Sequence, residues 1–153
     1  MASTTFSGPV TSTNGFIGDL TGNVTGNTAG SGSITHATTS AINATATATA
    51  AEVATGYITS TSAAATAITL PTGTLLGAEL GATQGTVFDL YVDNTGGAST
   101  VTMVVAVNGI LSSGAADTPG SFGDLTVAAG VTGVGRFTIM FSSATAYVFT
   151  RTA

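Results

Sequence analysis

The 153-residue chain contains no cysteine, no tryptophan and no lysine, and Arg136 and Arg151 are its only fixed cations. Without cysteine, disulfides and thiolate metal sites are excluded outright. Two arginines within a net charge of −5 argue against nucleic-acid binding, which depends on cations to neutralise phosphates. They argue equally against a polybasic membrane contact. Charged residues make up 6% of the chain, against roughly 25% in ordinary soluble domains. No run reaches the ~18 apolar residues of a membrane-spanning helix. Met1-Ala2-Ser3-Thr4-Thr5-Phe6 lacks both the basic and the apolar region of a signal peptide. The mean hydropathy of +0.49 comes largely from Ala and Val spread through Thr. Solubility therefore rests on Thr, Ser, Asn and Gly or on burial in an assembly, and an assembly is the favoured reading.

The clearest pattern that is present runs over residues 85–107. In Thr86-Val87-Phe88-Asp89-Leu90-Tyr91-Val92-Asp93, the side chains Phe88, Leu90 and Val92 point one way and Val87, Asp89, Tyr91 and Asp93 the other. This is the period-2 signature of a half-buried strand. Asn94-Thr95-Gly96-Gly97-Ala98 supplies turn residues, and alternation resumes with Val101, Met103, Val105 and Val107 on one face. The pattern predicts a β-hairpin with a loop longer than two residues.

Residues 1–33 are short extended pieces punctuated by Gly, Asn and Pro, with two Thr-Gly-Asn units at 21–23 and 25–27. A segment so rich in Gly cannot bury Phe6, Phe16, Ile17 and Leu20 by itself, because the entropy of fixing that backbone exceeds the gain. These side chains are expected to bury against another subunit. From 33 to 67 the composition shifts to alternating Ala and Thr. Ala favours helix and Thr favours strand, so an extended linker or strand is the first reading and a short helix near 48–54 the second. Farther on, Ile68-Thr69-Leu70 reads as a short strand, 74–83 as a loop that admits a helical turn over 75–80, and 108–123 as a long connection with Ile110, Leu111 and Phe122 tucked inward. Leu125-Thr126-Val127-Ala128-Ala129-Gly130 is another strand. A final hairpin sets Phe137, Ile139 and Phe141 against Tyr147, Phe149 and Arg151 across a turn at 143–145. Short strands with turns at roughly 8–12-residue spacing predict an all-β domain, a small β-sandwich or jelly-roll-like fold over 66–153, preceded by an extended arm over 1–65.

No residue set points to catalysis. His36 is the sole histidine and has no placed partner. Asp89 and Asp93 share a strand face and could help hold a hard cation, but two carboxylates without loop carbonyls fit an acidic face better. Asp117 and Asp124 are judged alike. Arg136 and Arg151 are expected either to pair with an acidic residue of a neighbour or to be solvated. The chain is expected not to be an enzyme and to carry no cofactor or metal.

Thr4-Thr5-Phe6-Ser7-Gly8-Pro9-Val10, the stretch Asn14-Gly15-Phe16-Ile17-Gly18-Asp19-Leu20-Thr21-Gly22-Asn23-Val24-Thr25-Gly26-Asn27, and the close from Asp124-Leu125-Thr126-Val127-Ala128-Ala129-Gly130 through Phe137 to Arg151 resemble virion structural proteins of tailed bacteriophages. Those proteins include capsid decoration (cement) proteins, head fibres and some tail-fibre segments. The resemblance implies a homotrimeric, β-rich protein on the outer surface of the capsid, with the major capsid protein as partner and Phe6, Val10, Phe16, Ile17 and Leu20 as arm anchors. A head or tail fibre that attaches to a host is the alternative. A Thr-x-Thr ladder at 44–50 keeps an ice-binding or adhesive protein as an alternative of another class.

Overall fold

The computed structural model describes residues 38–111 and 125–152. Ten strands and two helices follow one another there: β1 (Ser40–Ala41), β2 (Ala46–Thr47), α1 (Ala50–Ala54), β3 (Tyr57–Thr59), β4 (Thr66–Thr69), α2 (Gly73–Leu80), β5 (Val87–Asp93), β6 (Val101–Val104), β7 (Gly109–Leu111), β8 (Thr126–Val127), β9 (Val134–Ser143) and β10 (Ala146–Arg151). They form a six-stranded sheet in the order β1-β3-β5-β9-β10-β7 and a four-stranded sheet in the order β2-β4-β6-β8. Both sheets are mixed, and the domain is mostly strand.

The chain alternates between the sheets as it proceeds. β1, β3 and β5 run parallel in the large sheet, while β2, β4 and β6 run parallel in the small one. Each coil thus contributes one strand to each sheet and stacks on the coil before. Parallel neighbours require crossovers of a dozen residues or more, and the helices serve two of these. α1 lies between β2 and β3, α2 lies between β4 and β5, and the two pack against each other. At the opposite corner the loops also stack: the Thr61 N–H and hydroxyl donate to Asn43 Oδ1 at 2.8 and 3.2 Å, and the Ala98 N–H donates to the Ser62 carbonyl at 3.0 Å. The winding ends after β6. β8 pairs antiparallel with β6, β9 with β5, and β10 with β9, while β7 lies parallel to β10.

Local sequence explains the helix ends. Thr49 caps α1 by accepting from the Glu52 N–H, and the Glu52 carboxylate accepts from the Thr49 N–H at 2.7 Å, a reciprocal capping box. Thr72 caps α2 by accepting from the Leu75 N–H, and Gly81, with φ of 58°, ends it in the left-handed region that a side chain resists.

A single core draws on both sheets and both helices. Ile58, Leu90, Val92, Phe137, Ile139, Tyr147 and Phe149 come from the large sheet, Ile68, Val101, Met103 and Val127 from the small one, and Val53 and Leu76 from the helices. Phe137 stacks on Phe149 with ring centroids 5.0 Å apart, and Phe141 meets Tyr147 edge-on at 5.9 Å. Burying each such side chain stabilises the fold by about 1.5–3 kcal/mol.

The strand over 87–93 and the final hairpin form as their alternation predicts. The hairpin expected over 85–107 does not: β5 and β6 lie in different sheets, and the 94–100 loop carries the chain from one to the other. The boundary expected at 65 also moves. Residues 40–59 supply β1, β2, α1 and β3, which pair into the same sheets as the later strands, because the Thr residues among the Ala provide strand propensity and the capping box selects helix locally. Both readings of the Ala/Thr stretch are realised, a strand at Ala46–Thr47 and a helix at Ala50–Ala54. The expected loop at 74–83 is largely helix α2. The connection expected over 108–123 begins with strand β7, and the strand expected over 125–130 is limited to Thr126–Val127; Phe122 lies outside the described residues.

Candidate partner-binding surfaces

The outward face of the large sheet holds a hydrogen-bonded group of polar side chains. Strand alternation turns Tyr57 on β3, Asp89, Tyr91 and Asp93 on β5, and Arg136 and Thr138 on β9 to this face. Register aligns Tyr57, Tyr91 and Arg136 across three neighbouring strands. The two tyrosine rings stack with centroids 6.4 Å apart, and the Arg136 guanidinium sits 5.8 Å from the Tyr91 ring centre. Arg136 Nη2 donates to Asp89 Oδ2, and the Thr138 hydroxyl donates to Asp89 Oδ1 at 2.8 Å. Asp93 accepts from the Thr95 hydroxyl at 2.6 Å, the Thr95 N–H at 2.9 Å and the Tyr57 hydroxyl at 2.8 Å.

These bonds set the acidity of the groups. The Arg136 hydrogen bond holds the Asp89 carboxyl below its ordinary range, with Thr138 adding to it. Thr95 does the same for Asp93 through its hydroxyl and its N–H. The Asp93 carboxylate in turn pushes the Tyr57 phenol up. Both carboxylates are thus occupied by donors of their own chain, and among the described residues no three His, Asp or Glu side chains converge. Arg136 and Arg151, expected to meet a neighbour's acid or solvent, each have a partner within their own chain, and the Arg136 side chain stays 45% exposed. Arg136 pairs with Asp89, and Arg151 Nη1 donates to the Thr126 carbonyl with its guanidinium 5.9 Å from the Phe137 ring centre. Sheet pairing places a partner within reach of each before any second molecule arrives.

Substituting Arg136→Met should raise the Asp89 titration midpoint towards its ordinary value, as read by carboxyl NMR. A depressed carboxylate contributes stability above its unfolded pKa and loses it as pH falls through the folded one. The variant should therefore differ least from the parent in acid. An unmoved Asp89 midpoint would show that Thr138 alone sets it.

A second feature is apolar. An open recess of about 430 Å³ lies where β2 and α1 meet the end of β4 and the start of α2, lined by Thr47, Ala50, Leu70, Pro71, Leu75 and Ala106 among others. Leu75 is 59% exposed at its rim. On the large sheet, Val87 and Met140 are register partners whose side chains both stand in solvent, 61% and 41% exposed.

The anchor candidates Phe6, Val10, Phe16, Ile17 and Leu20 lie outside the described residues, as do His36, Asp117 and Asp124. The Thr ladder at 44–50 does not present a flat hydroxyl array. Thr45 Oγ1 accepts from the Ala67 N–H, Thr47 lies on β2, and Thr49 is taken up in the α1 cap. Sequence reasoning missed Asn94, which is fully buried and whose Nδ2 donates to the carbonyls of Ser99, Val127 and Ala128 at 2.9, 3.2 and 3.0 Å. Its place among turn residues made it look exposed. Comparisons with protein-family models, with curated proteins and with solved structures each find no match.

Proposed function

We propose that the chain is a tailed-bacteriophage capsid decoration protein, a homotrimer on the outer surface of the head that binds the major capsid protein. Its work is mechanical rather than catalytic: added buried area at capsomer junctions resists the internal pressure of the packaged genome. Phe6, Val10, Phe16, Ile17 and Leu20 anchor the leading segment to the shell and to adjacent subunits. The two sheets pack face to face as a flattened sandwich, a reading supported by the core that draws on both.

The observation that carries this reading is the character of the described surface. It is poor in charge, Arg136 is paired with Asp89, and it offers the apolar recess beside Leu75. Such a surface suits apolar contact and main-chain pairing with a lattice of like subunits. Deleting residues 1–30 should abolish binding to capsids, measured by co-sedimentation; undiminished binding would remove the arm from the account. A monomeric mass in native buffer would undercut the assembly itself.

The stacked coils favour a second reading, a head or tail fibre, because parallel coils extend readily along one axis. Imaging of labelled virions separates the two. Decoration places label densely over the shell, and a fibre places it at a few loci.

A further inference from the structure

Among the described residues, Asn108-Gly109 is the one asparagine followed by glycine, and two separate demands put these residues there. The Gly109 N–H donates to the Ala106 carbonyl at 3.0 Å and closes a tight turn between β6 and β7. Asn108, the third residue of that turn, has φ of 63°, the one positive value among described residues other than glycine. Asparagine and glycine tolerate that region, whereas most side chains resist it. Gly109 answers to packing instead. A Cβ there would come within 2.7 Å of the Tyr147 ring, which is fully buried and tied through its hydroxyl to the Pro71 carbonyl at 3.1 Å.

A pair of this kind carries its own reaction, because glycine has no side chain to shield its main-chain nitrogen from the neighbouring side-chain amide. Asn108 is exposed, so water and hydroxide reach it. The Gly109 N–H has to leave the Ala106 carbonyl first, and a single turn bond at the surface opens without global unfolding. The other two described asparagines are unsuited. Asn43 precedes Ala44, and its Oδ1 accepts from the Thr61 N–H at 2.8 Å. Asn94 precedes Thr95 and is fully buried.

We propose that Asn108 is a site of spontaneous deamidation in the folded protein, and that its isoaspartyl product loosens β7 from β10. The Gly109 nitrogen gives up its proton and attacks Asn108 Cγ. The N–Cγ bond forms, the Cγ–Nδ2 bond breaks, and ammonia departs to leave a five-membered succinimide. Water then opens one of the two ring carbonyls. Opening at Cγ gives aspartate; opening at the main-chain carbonyl gives isoaspartate, with the chain routed through Cβ and Cγ and the former main-chain carbonyl left as a free carboxylate. Water is consumed, ammonia is released, and nothing is oxidised or reduced. The added chain atom falls directly before Gly109, the register partner of Tyr147 in the parallel β7–β10 ladder. The carbonyl that becomes the carboxylate is the one that accepts the Tyr147 N–H at 3.0 Å. The inference does not depend on the virion reading.

Incubation of the full chain in native buffer at neutral and mildly alkaline pH, followed by peptic digestion in acid and peptide mass mapping, tests it. The peptide containing residue 108 should gain about one mass unit and become a substrate for an isoaspartyl methyltransferase. The gain should come faster as pH rises, since the attacking nitrogen must be deprotonated, while the peptides containing Asn43 and Asn94 keep their mass. In the converted fraction the Tyr147 amide should exchange its hydrogen about 10-fold faster. Asn108→Gly keeps the positive φ, so that variant should start with the parent's Tyr147 protection and hold it throughout the incubation. Unchanged mass at residue 108 in the native protein, whatever happens in urea, would overturn the site. Conversion with Tyr147 protection intact, or an equal loss of protection in the incubated Asn108→Gly variant, would overturn the loosening of β7.

Discussion

Gly77→Ala should lower the melting temperature by roughly 10–20 °C, corresponding to about 2–3 kcal/mol in a domain of this size. Helix propensity alone says the opposite: replacing an interior helical glycine by alanine ordinarily stabilises by up to about 1 kcal/mol. The sign is set by what a Cβ would meet. Gly77 is buried on the face of α2 that lies against the turn joining β9 to β10, and a Cβ there would overlap the Ala144 carbonyl oxygen and come within 3.3 Å of the Phe141 ring. One helical turn earlier, a Cβ on Gly73 would overlap the Thr145 carbonyl oxygen and stand 2.9 Å from that of Asn108. The obstacles are main-chain atoms held by the β9–β10 ladder, so they cannot yield as a side-chain tip would. The helix would have to lift from the sheet, loosening Leu76 from the core. Thermal denaturation of the single variant is sufficient, and an unchanged or raised midpoint would show that α2 is not seated on that turn.

Alternation made individual strands legible but not their partners. Leu90 and Val92, and equally Phe137, Ile139, Phe149 and Tyr147, are buried where period 2 puts them. Val101 and Met103 are buried too, yet in the other sheet from Leu90. An inward apolar stripe looks the same whichever sheet carries it, so nothing in 85–107 distinguishes a hairpin from a crossing. The capping box Thr49-Ala50-Ala51-Glu52 and the pair Thr72 and Gly81 bracketing α2 were readable signals for helices, outweighed in the Ala/Thr stretch by its composition. The outer row of Tyr57, Tyr91 and Arg136 was not readable. Its members are separated by 34 and 45 positions, and only the parallel register of β3 with β5 and the antiparallel register of β5 with β9 bring them together. The apolar recess is of the same kind, since Ala50, Leu70 and Leu75 meet through the stacking of successive coils.

The crossing between sheets depends on Asn94, and Asn94→Asp should be the most damaging single-atom exchange in the domain. The main chain of Asn94 donates to the Gly133 carbonyl at 2.6 Å and accepts from the N–H groups of Gly97 and Gly130. Its Nδ2 fills a space bounded by the carbonyl oxygens of Ser99, Val127 and Ala128, tying the loop to the end of β8. Exchanging that nitrogen for oxygen replaces a donor by an acceptor facing three acceptors, with no solvent to screen it. Removing the compensation from a buried polar network of this type costs about 3–5 kcal/mol when a charge is left behind. The carboxyl can escape by staying protonated, so its folded pKa must rise above the unfolded value of about 3.9. A raised acid pKa makes the variant most stable, relative to the parent, below the unfolded value. Its stability then falls as pH rises between the unfolded and folded values. The difference between the two proteins in denaturant midpoint should therefore widen from pH 4 to pH 7. Asn94→Leu, which removes the donor without adding a charge, should show a loss that does not change with pH. If Asn94→Asp matched that flat profile, or matched the parent at pH 7, the side chain would not be enclosed by those carbonyls, and the 94–100 loop would not be held in its crossing by this residue.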